Sequence, residues 1–278
     1  MKKRLISVAV GLALLSAVLF LFDTPIVNLA FAVIGSICIF EGMRAYKLNG
    51  RVLLLSVLIV VNAINMFLDV DRPMLYFVMI FAMFSLLIVN AAPEGTFRLG
   101  ACATIIALTV TCGFRAMLDL RSMSSLLSDS RFLFFTGLAF GWICDTFAFT
   151  VGHLCGKHKL CEHISPNKTI EGAVGGVLGT AAFSALTCWL YASHAQSDSL
   201  FFGLSSARHI AFYAIAGAIG AVVGIFGDLA MSFVKRDCGI KDFGKLMPGH
   251  GGALDRMDSV LFTSVFARVA FDMFFKIA

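Results

Sequence analysis

Apolar stretches of about 19 residues that lack paired charges recur along the chain, separated by polar segments. They predict nine helices, at 5–22, 25–43, 52–68, 73–92, 97–114, 132–151, 172–191, 209–231 and 259–275. The first follows Met1, Lys2, Lys3 and Arg4 and runs uncharged from Leu5 to Phe22, enough to cross roughly 30 Å of hydrocarbon at about 1.5 Å per residue. A cleaved leader has a shorter apolar core and a small-residue cleavage site; Phe20, Leu21, Phe22 and Asp23 offer none, so a retained first span is expected. The predicted fold class is all-α: a polytopic integral membrane protein with about nine transmembrane helices. Residues 1–131 form N-terminal helices with little diagnostic content, and residues 132–278 carry the two polar loops richest in chemistry, 152–171 and 232–258.

Composition agrees. The 278 residues are 59% hydrophobic and 14% charged, with mean hydropathy +0.90, outside the soluble range. With the N-terminus in the cytoplasm, 15 Lys and Arg fall on the inner side and 6 on the outer, with Arg268 inside the last span. That satisfies the positive-inside rule and brings both rich loops to the cytoplasmic face. Loops 114–131 and 192–208 read as solvated connections without catalytic role.

Eight cysteines imply no disulfide framework, since at least five lie in apolar runs where Cys acts as a small hydrophobe. Cys155, His158, Cys161 and His163 have zinc-type side chains, packed more tightly than zinc-ligand pairs usually are. Glycines four apart, as in Gly172 with Gly176, Gly175 with Gly179 and Gly220 with Gly224, suit close helix packing.

Chemistry concentrates between Ser232 and Asp258, where five cations, four carboxylates, five glycines and His250 share 27 residues. Cations neutralise phosphate oxygens, hard carboxylates hold a hard cation, and glycines let backbone N–H groups approach an anion. These are the components of a site for a nucleotide phosphate with Mg²⁺. Asp228, near the end of the eighth span, needs a partner: either a metal ion or Lys235 at i+7. Asp145 in the sixth span is functional, or a buried polar contact between helices. Ser165, Pro166 and Thr169 suit the start of the seventh helix, with Glu171 in its first turn. Capping leaves unexplained why Lys157, Lys159 and Lys168 gather there, and helix N-termini also bind phosphate.

These residues resemble the phosphatidate cytidylyltransferases, or CDP-diacylglycerol synthases. The stretch Ser232–Asp258 follows the family signature at Lys235, Arg236, Lys241, Asp242, His250, Gly251, Gly252, Asp255, Arg256 and Asp258. Asp145–Thr146, Gly156–Lys157, Ser165–Pro166, Lys168–Thr169 and Glu171–Gly172 resemble its second cytoplasmic segment. Phe147, Phe149 and His153 depart from the Gly, Tyr and Arg expected there. The resemblance covers about residues 140–260.

It implies transfer of CMP from CTP to phosphatidic acid, giving CDP-diacylglycerol and pyrophosphate. It further implies Mg²⁺, with a second cation as an option, held by Asp228 and Asp255, with Asp258 and Asp145 in support. Lys235, Arg236, Lys241 and Arg256 would neutralise the phosphates, with Asp242 also in the catalytic set. His250, Gly251 and Gly252 would shape the nucleotide loop, and Asp145, Lys157, Ser165, Lys168 and Thr169 would contact substrate. The expected partners are CTP, phosphatidic acid, the bilayer and a second copy in a homodimer, with no nucleic acid; the chain's brevity favours a bacterial inner membrane. Two alternatives stay open. A CTP-dependent lipid kinase would share the cations and Mg²⁺ but needs a base for a neutral hydroxyl. An ion-coupled secondary transporter would place its charges at the midplane with paired halves.

Overall fold

The computed structural model describes residues 16, 20–68, 79, 96–124, 127–195, 197–202, 207–246 and 251–277. The elements are α1 (Pro25–Ala45), α2 (Val52–Phe67), α3 (Thr96–Arg121), α4 (Leu127–Cys155), β1 (Lys159–Cys161), β2 (Ser165–Thr169), α5 (Ile170–Ser193), α6 (Ala207–Asp237) and α7 (Leu254–Ile277). Seven expected helices are present, most of them longer than their apolar runs. The expected spans at 5–22 and 73–92 lie outside the described residues apart from single positions and the end of the first.

Among the described residues, five helices are long and apolar enough to cross a membrane: Pro25–Ala45, Leu99–Arg121, Ser128–Cys155, Ile170–Ser193 and Ala207–Asp237. The helix α2 is apolar but shorter, and α7 is long but carries Asp255, Arg256, Asp258, Arg268 and Asp272. The chain is thus a helical membrane protein, and its large outward side chains, such as Leu178 at 65% and Phe226 at 68% exposure, suit a hydrocarbon solvent. The all-α expectation needs one amendment. Within loop 152–171, β1 and β2 pair antiparallel, with Lys159 opposite Thr169 and Cys161 opposite Ser165.

Two compact units divide the chain: residues 1–115 with 235–257, and residues 116–234 with 258–278. The division falls inside α3, α6 and α7.

In the first unit, α1, α2 and α3 meet at Asn62. Its fully buried amide donates to the Ala32 carbonyl at 3.1 Å and accepts from Thr111 Oγ1 at 3.3 Å. Gly35 makes room, since a Cβ there would lie 2.9 Å from the Asn62 amide. Phe31 packs on Phe114, ring centroids 5.3 Å apart. A polar group in an apolar bundle is tolerated when its bonds are made.

In the second unit, α4 and α5 approach through glycine. A Cβ on Gly172 would stand 2.6 Å from the Ala148 carbonyl oxygen, and one on Gly176 would stand 3.0 Å from that of Cys144. Backbone cannot yield as a side chain would, so Gly172→Ala should cost about 1–3 kcal/mol, read as a lower unfolding midpoint in detergent. An aromatic core of Phe140, Phe201, Tyr213, Phe271 and Phe274 fills the far end of the unit. Arg268, inside the last expected span, faces Asp119 at 3.8 Å and Asp272 at 3.2 Å, the pairing an intramembrane charge requires.

The reading of 114–131 and 192–208 as solvated connections is corrected here. Residues up to Arg121 continue α3, and Asp129 is fully buried. It accepts hydrogen bonds from Tyr191 Oη (2.8 Å), Ser199 Oγ (2.7 Å) and the Leu200 amide (2.6 Å). With Ser124 Oγ at 3.4 Å as a fourth donor, the carboxylate ties loop to helix.

Candidate functional site

The polar residues singled out from the sequence gather in two clusters, one in each unit. In the first unit, α6 ends at Asp237, and the chain returns through Phe243 and Gly252 to the start of α7. Gly251 turns that corner with φ +88°, a conformation that favours glycine. Asp255 then sits in the first turn of α7, where backbone N–H groups lack helical partners.

Its carboxylate is nearly saturated. Oδ2 accepts from the amides of Phe243 (2.8 Å) and Gly252 (2.9 Å), and Oδ1 accepts from Lys235 Nζ at 3.0 Å. Both side chains of the pair are buried, 10% exposed for Lys235 and 3% for Asp255, and the ammonium lies 5.5 Å from the centre of the Phe243 ring. Arg44 of α1 donates to the Phe243 carbonyl at 2.8 Å. By contrast, Arg236, Lys241, Asp242, Lys245 and Arg256 are exposed, with Arg236 Nη1 reaching the Ile240 carbonyl at 3.3 Å. His250 lies outside the described residues.

One member of this cluster escaped the sequence reading. Glu41, on α1, is 4% exposed and accepts the Leu254 N–H through Oε2 at 3.0 Å, across 213 residues. An acid inside an apolar span is the available signal, but only tertiary structure brings it to this loop.

In the second unit the pairing differs from the i+7 alternative for Asp228. Asp228 Oδ2 lies 2.5 Å from Lys168 Nζ, and Oδ1 accepts from Ser232 Oγ at 3.3 Å. Lys168 stands at the end of β2, so the hairpin sets its position; Thr169 then caps α5, accepting the Gly172 amide at 3.1 Å. Asp145 Oδ2 accepts from Ser259 Oγ at 3.2 Å, while the Ser259 amide donates to Asp258 Oδ1 at 2.9 Å. Asp145, Lys168 and Asp228 all lie within electrostatic reach of Cys144. In this unit Asp145 and Asp258 thus share Ser259 of α7, while Asp228 on α6 is held by Lys168 and Ser232.

The remaining predicted contacts belong to the hairpin. Lys157 is exposed, and its amide and that of His158 donate to Glu171 Oε2 at 3.1 and 3.2 Å. Ser165 lies half-buried in β2, and Lys159 Nζ donates to the Pro166 carbonyl at 2.6 Å. His158 Nδ1 meets Glu171 Oε1 at 2.6 Å, and among the described residues no group of three His, Cys, Asp or Glu side chains assembles a metal site.

The donor chemistry nevertheless suits a hard cation in the second unit. Carboxylate and hydroxyl oxygens are what Mg²⁺ takes, and Asp228 already holds one cation, the Lys168 ammonium. Asp255 suits one less: three of its roughly four acceptor positions are engaged. Burial pushes the Tyr46 hydroxyl and the Cys238 thiol up from their ordinary ranges, so neither supplies a base at neutral pH.

Against known proteins, residues 2–274 match the family described as the cytidylyltransferase family. The chain is 28% identical over 278 residues to the phosphatidate cytidylyltransferase of Bacillus subtilis (strain 168), covering 96% of each. It is 41% identical over 121 residues to that of Staphylococcus haemolyticus (strain JCSC1435), covering 44% of this chain and 42% of the relative. With that of Thermotoga maritima it shares 35% over 130 residues, 47% of this chain and 45% of the relative.

Proposed function

We propose, because this chain belongs to the cytidylyltransferase family, that it transfers the cytidylyl group of CTP to phosphatidic acid in phospholipid biosynthesis. The products are CDP-diacylglycerol and pyrophosphate. The observation that carries this reading is the family match through residues 2–274, which takes in both clusters. The relatives named as phosphatidate cytidylyltransferases support the acceptor.

A phosphate oxygen of phosphatidic acid, already anionic, attacks the α-phosphorus of CTP. The bond from that phosphorus to the bridging oxygen breaks, and pyrophosphate leaves with the electron pair. No proton has to be removed, so the protein's work is positioning and charge neutralisation. Lys235, fixed by Asp255, and Lys168, fixed by Asp228, each present an ammonium whose direction is set by a carboxylate. Arg236, Lys241 and Arg256 are exposed and meet phosphate from solvent. Gly251 and Gly252 shape the nucleotide loop. Asp228, helped by Asp145 and Asp258 of the same unit, would hold Mg²⁺, with Asp255 giving at most one further lone pair to a second cation. When bound, the ion offsets negative charge on the phosphate oxygens.

The same reading places the enzyme in a bacterial inner membrane with about nine spans, as a homodimer, its N-terminus and polar loops cytoplasmic. Purified protein in detergent with Mg²⁺ and labelled CTP should release pyrophosphate and label lipid only when phosphatidic acid is added. Label entering diacylglycerol or a polyprenol from the γ-phosphate of CTP, with CDP released in place of pyrophosphate and none entering phosphatidic acid from the cytidine moiety, would overturn the reading in favour of a lipid kinase.

A further inference from the structure

We infer that Glu41 is a positioning residue for the reaction proposed above, acting through Asp255. Glu41 sits near the end of α1, a helix without any residue of the family signature, yet its carboxylate is built into the signature loop. It accepts the Leu254 amide at 3.0 Å, the residue before Asp255. Gly244 and Gly252, at the two ends of the loop, both lie against it: a Cβ at either position would overlap its carboxylate oxygens. Gly244 and Gly252 also approach each other, since a Cβ on Gly244 would be 2.9 Å from Gly252 Cα.

The two acids divide the loop between them. Asp255 takes the Phe243 and Gly252 amides, and Glu41 takes the Leu254 amide at the helix start. Arg44, one turn further along α1, holds the Phe243 carbonyl at 2.8 Å. Thus α1 grips the loop that joins Lys235 to Asp255 at two points, by a donor at Phe243 and an acceptor at Leu254. Glu41 itself is buried, so its reach is to the loop backbone; its effect on the reaction passes through the direction of the Asp255 carboxylate and hence of the Lys235 ammonium.

A buried carboxylate among backbone amides costs much desolvation, and a neutral amide side chain would make the same bond to Leu254. Glu41→Gln keeps an acceptor of the right length, whereas Glu41→Ala removes it. Misplacing a group that neutralises developing charge by about 1 Å costs about 100-fold. The expected result in the labelled-CTP assay is that Glu41→Ala loses about 100-fold in kcat per folded molecule with KM for CTP changed less than about threefold. Glu41→Gln should recover most of that loss. Because Glu41 acts through Asp255, Glu41→Ala combined with Asp255→Asn should turn over no more slowly than Asp255→Asn alone.

A loss that tracks only the folded fraction, with normal kcat in the molecules that elute as folded, overturns the inference and makes Glu41 a structural prop. Full additivity in the double variant, or no rescue by Glu41→Gln, also overturns it, since each means a separate role for the charge. Wild-type protein that fails to label phosphatidic acid sinks the proposed reaction instead. The two failures are read from different samples.

Discussion

Asp255→Asn is expected to lower the rate of label transfer from CTP to phosphatidic acid by about 10²–10³-fold, the largest loss of any conservative change in the chain. The asparagine keeps the shape, but one terminal atom becomes a donor. Three donors converge on the native carboxylate, the amides of Phe243 and Gly252 and the ammonium of Lys235, so the new NH₂ must face one of them. Lys235 is then left buried without its counter-charge. Removing one partner of such a pair costs about 3–5 kcal/mol, so the unfolding midpoint in detergent should fall as well. Replacing both partners, Asp255→Asn with Lys235→Met, separates the two effects, since the asparagine side-chain oxygen still accepts the Phe243 and Gly252 amides. Stability should return most of the way, because no uncompensated charge remains, while turnover should stay low. Wild-type turnover in Asp255→Asn protein that elutes normally would remove Asp255 and Lys235 from the catalytic set.

Asp228→Asn should have the second-largest effect, about 100-fold on kcat, together with at least a tenfold rise in the Mg²⁺ needed for half-maximal rate. The reason lies in the contact with Lys168 at 2.5 Å. One carboxylate oxygen cannot serve an ammonium and a divalent ion fully at the same time, so Lys168 competes with the metal until the substrate phosphates draw it away. Lys168→Met should therefore move the Mg²⁺ requirement the opposite way, to lower concentration, while still slowing turnover through loss of a phosphate-facing charge. A titration of rate against Mg²⁺ for the two variants checks both signs. An unchanged Mg²⁺ requirement in Asp228→Asn would remove Asp228 as a metal ligand.

Much of the local structure could be read directly. Among the described residues, seven expected helices are present where apolar runs mark them, because a run of that length admits few other backbones when no water is available to its N–H and C=O groups. The start of α5 was legible too: Thr169, followed by Glu171, is a cap by residue type, and Thr169 accepts the Gly172 amide. The glycines at 172 and 176 announced close packing, and a Cβ at either would meet the backbone of α4. The hairpin in 152–171 was not legible, since Ser165–Pro166–Asn167–Lys168–Thr169 lacks the apolar alternation that marks a strand.

What the sequence determined by itself is where the helices lie, which segments carry charge and which family the signature resembles. These depend on neighbours within a few turns or on residue types alone. Tertiary structure decided which charge meets which. Asp228 could have been assigned to Lys235 on its own helix, yet it pairs with Lys168, 60 residues earlier, while Lys235 turns to Asp255. Asp129, in a segment that reads as solvated, is buried under four donors. Glu41 acquires its place only because α1 packs beside the start of α7, 213 residues on. In a low-dielectric interior every ionised group needs a partner, but the chain's local pattern states only the need; the packing of distant helices selects the partner.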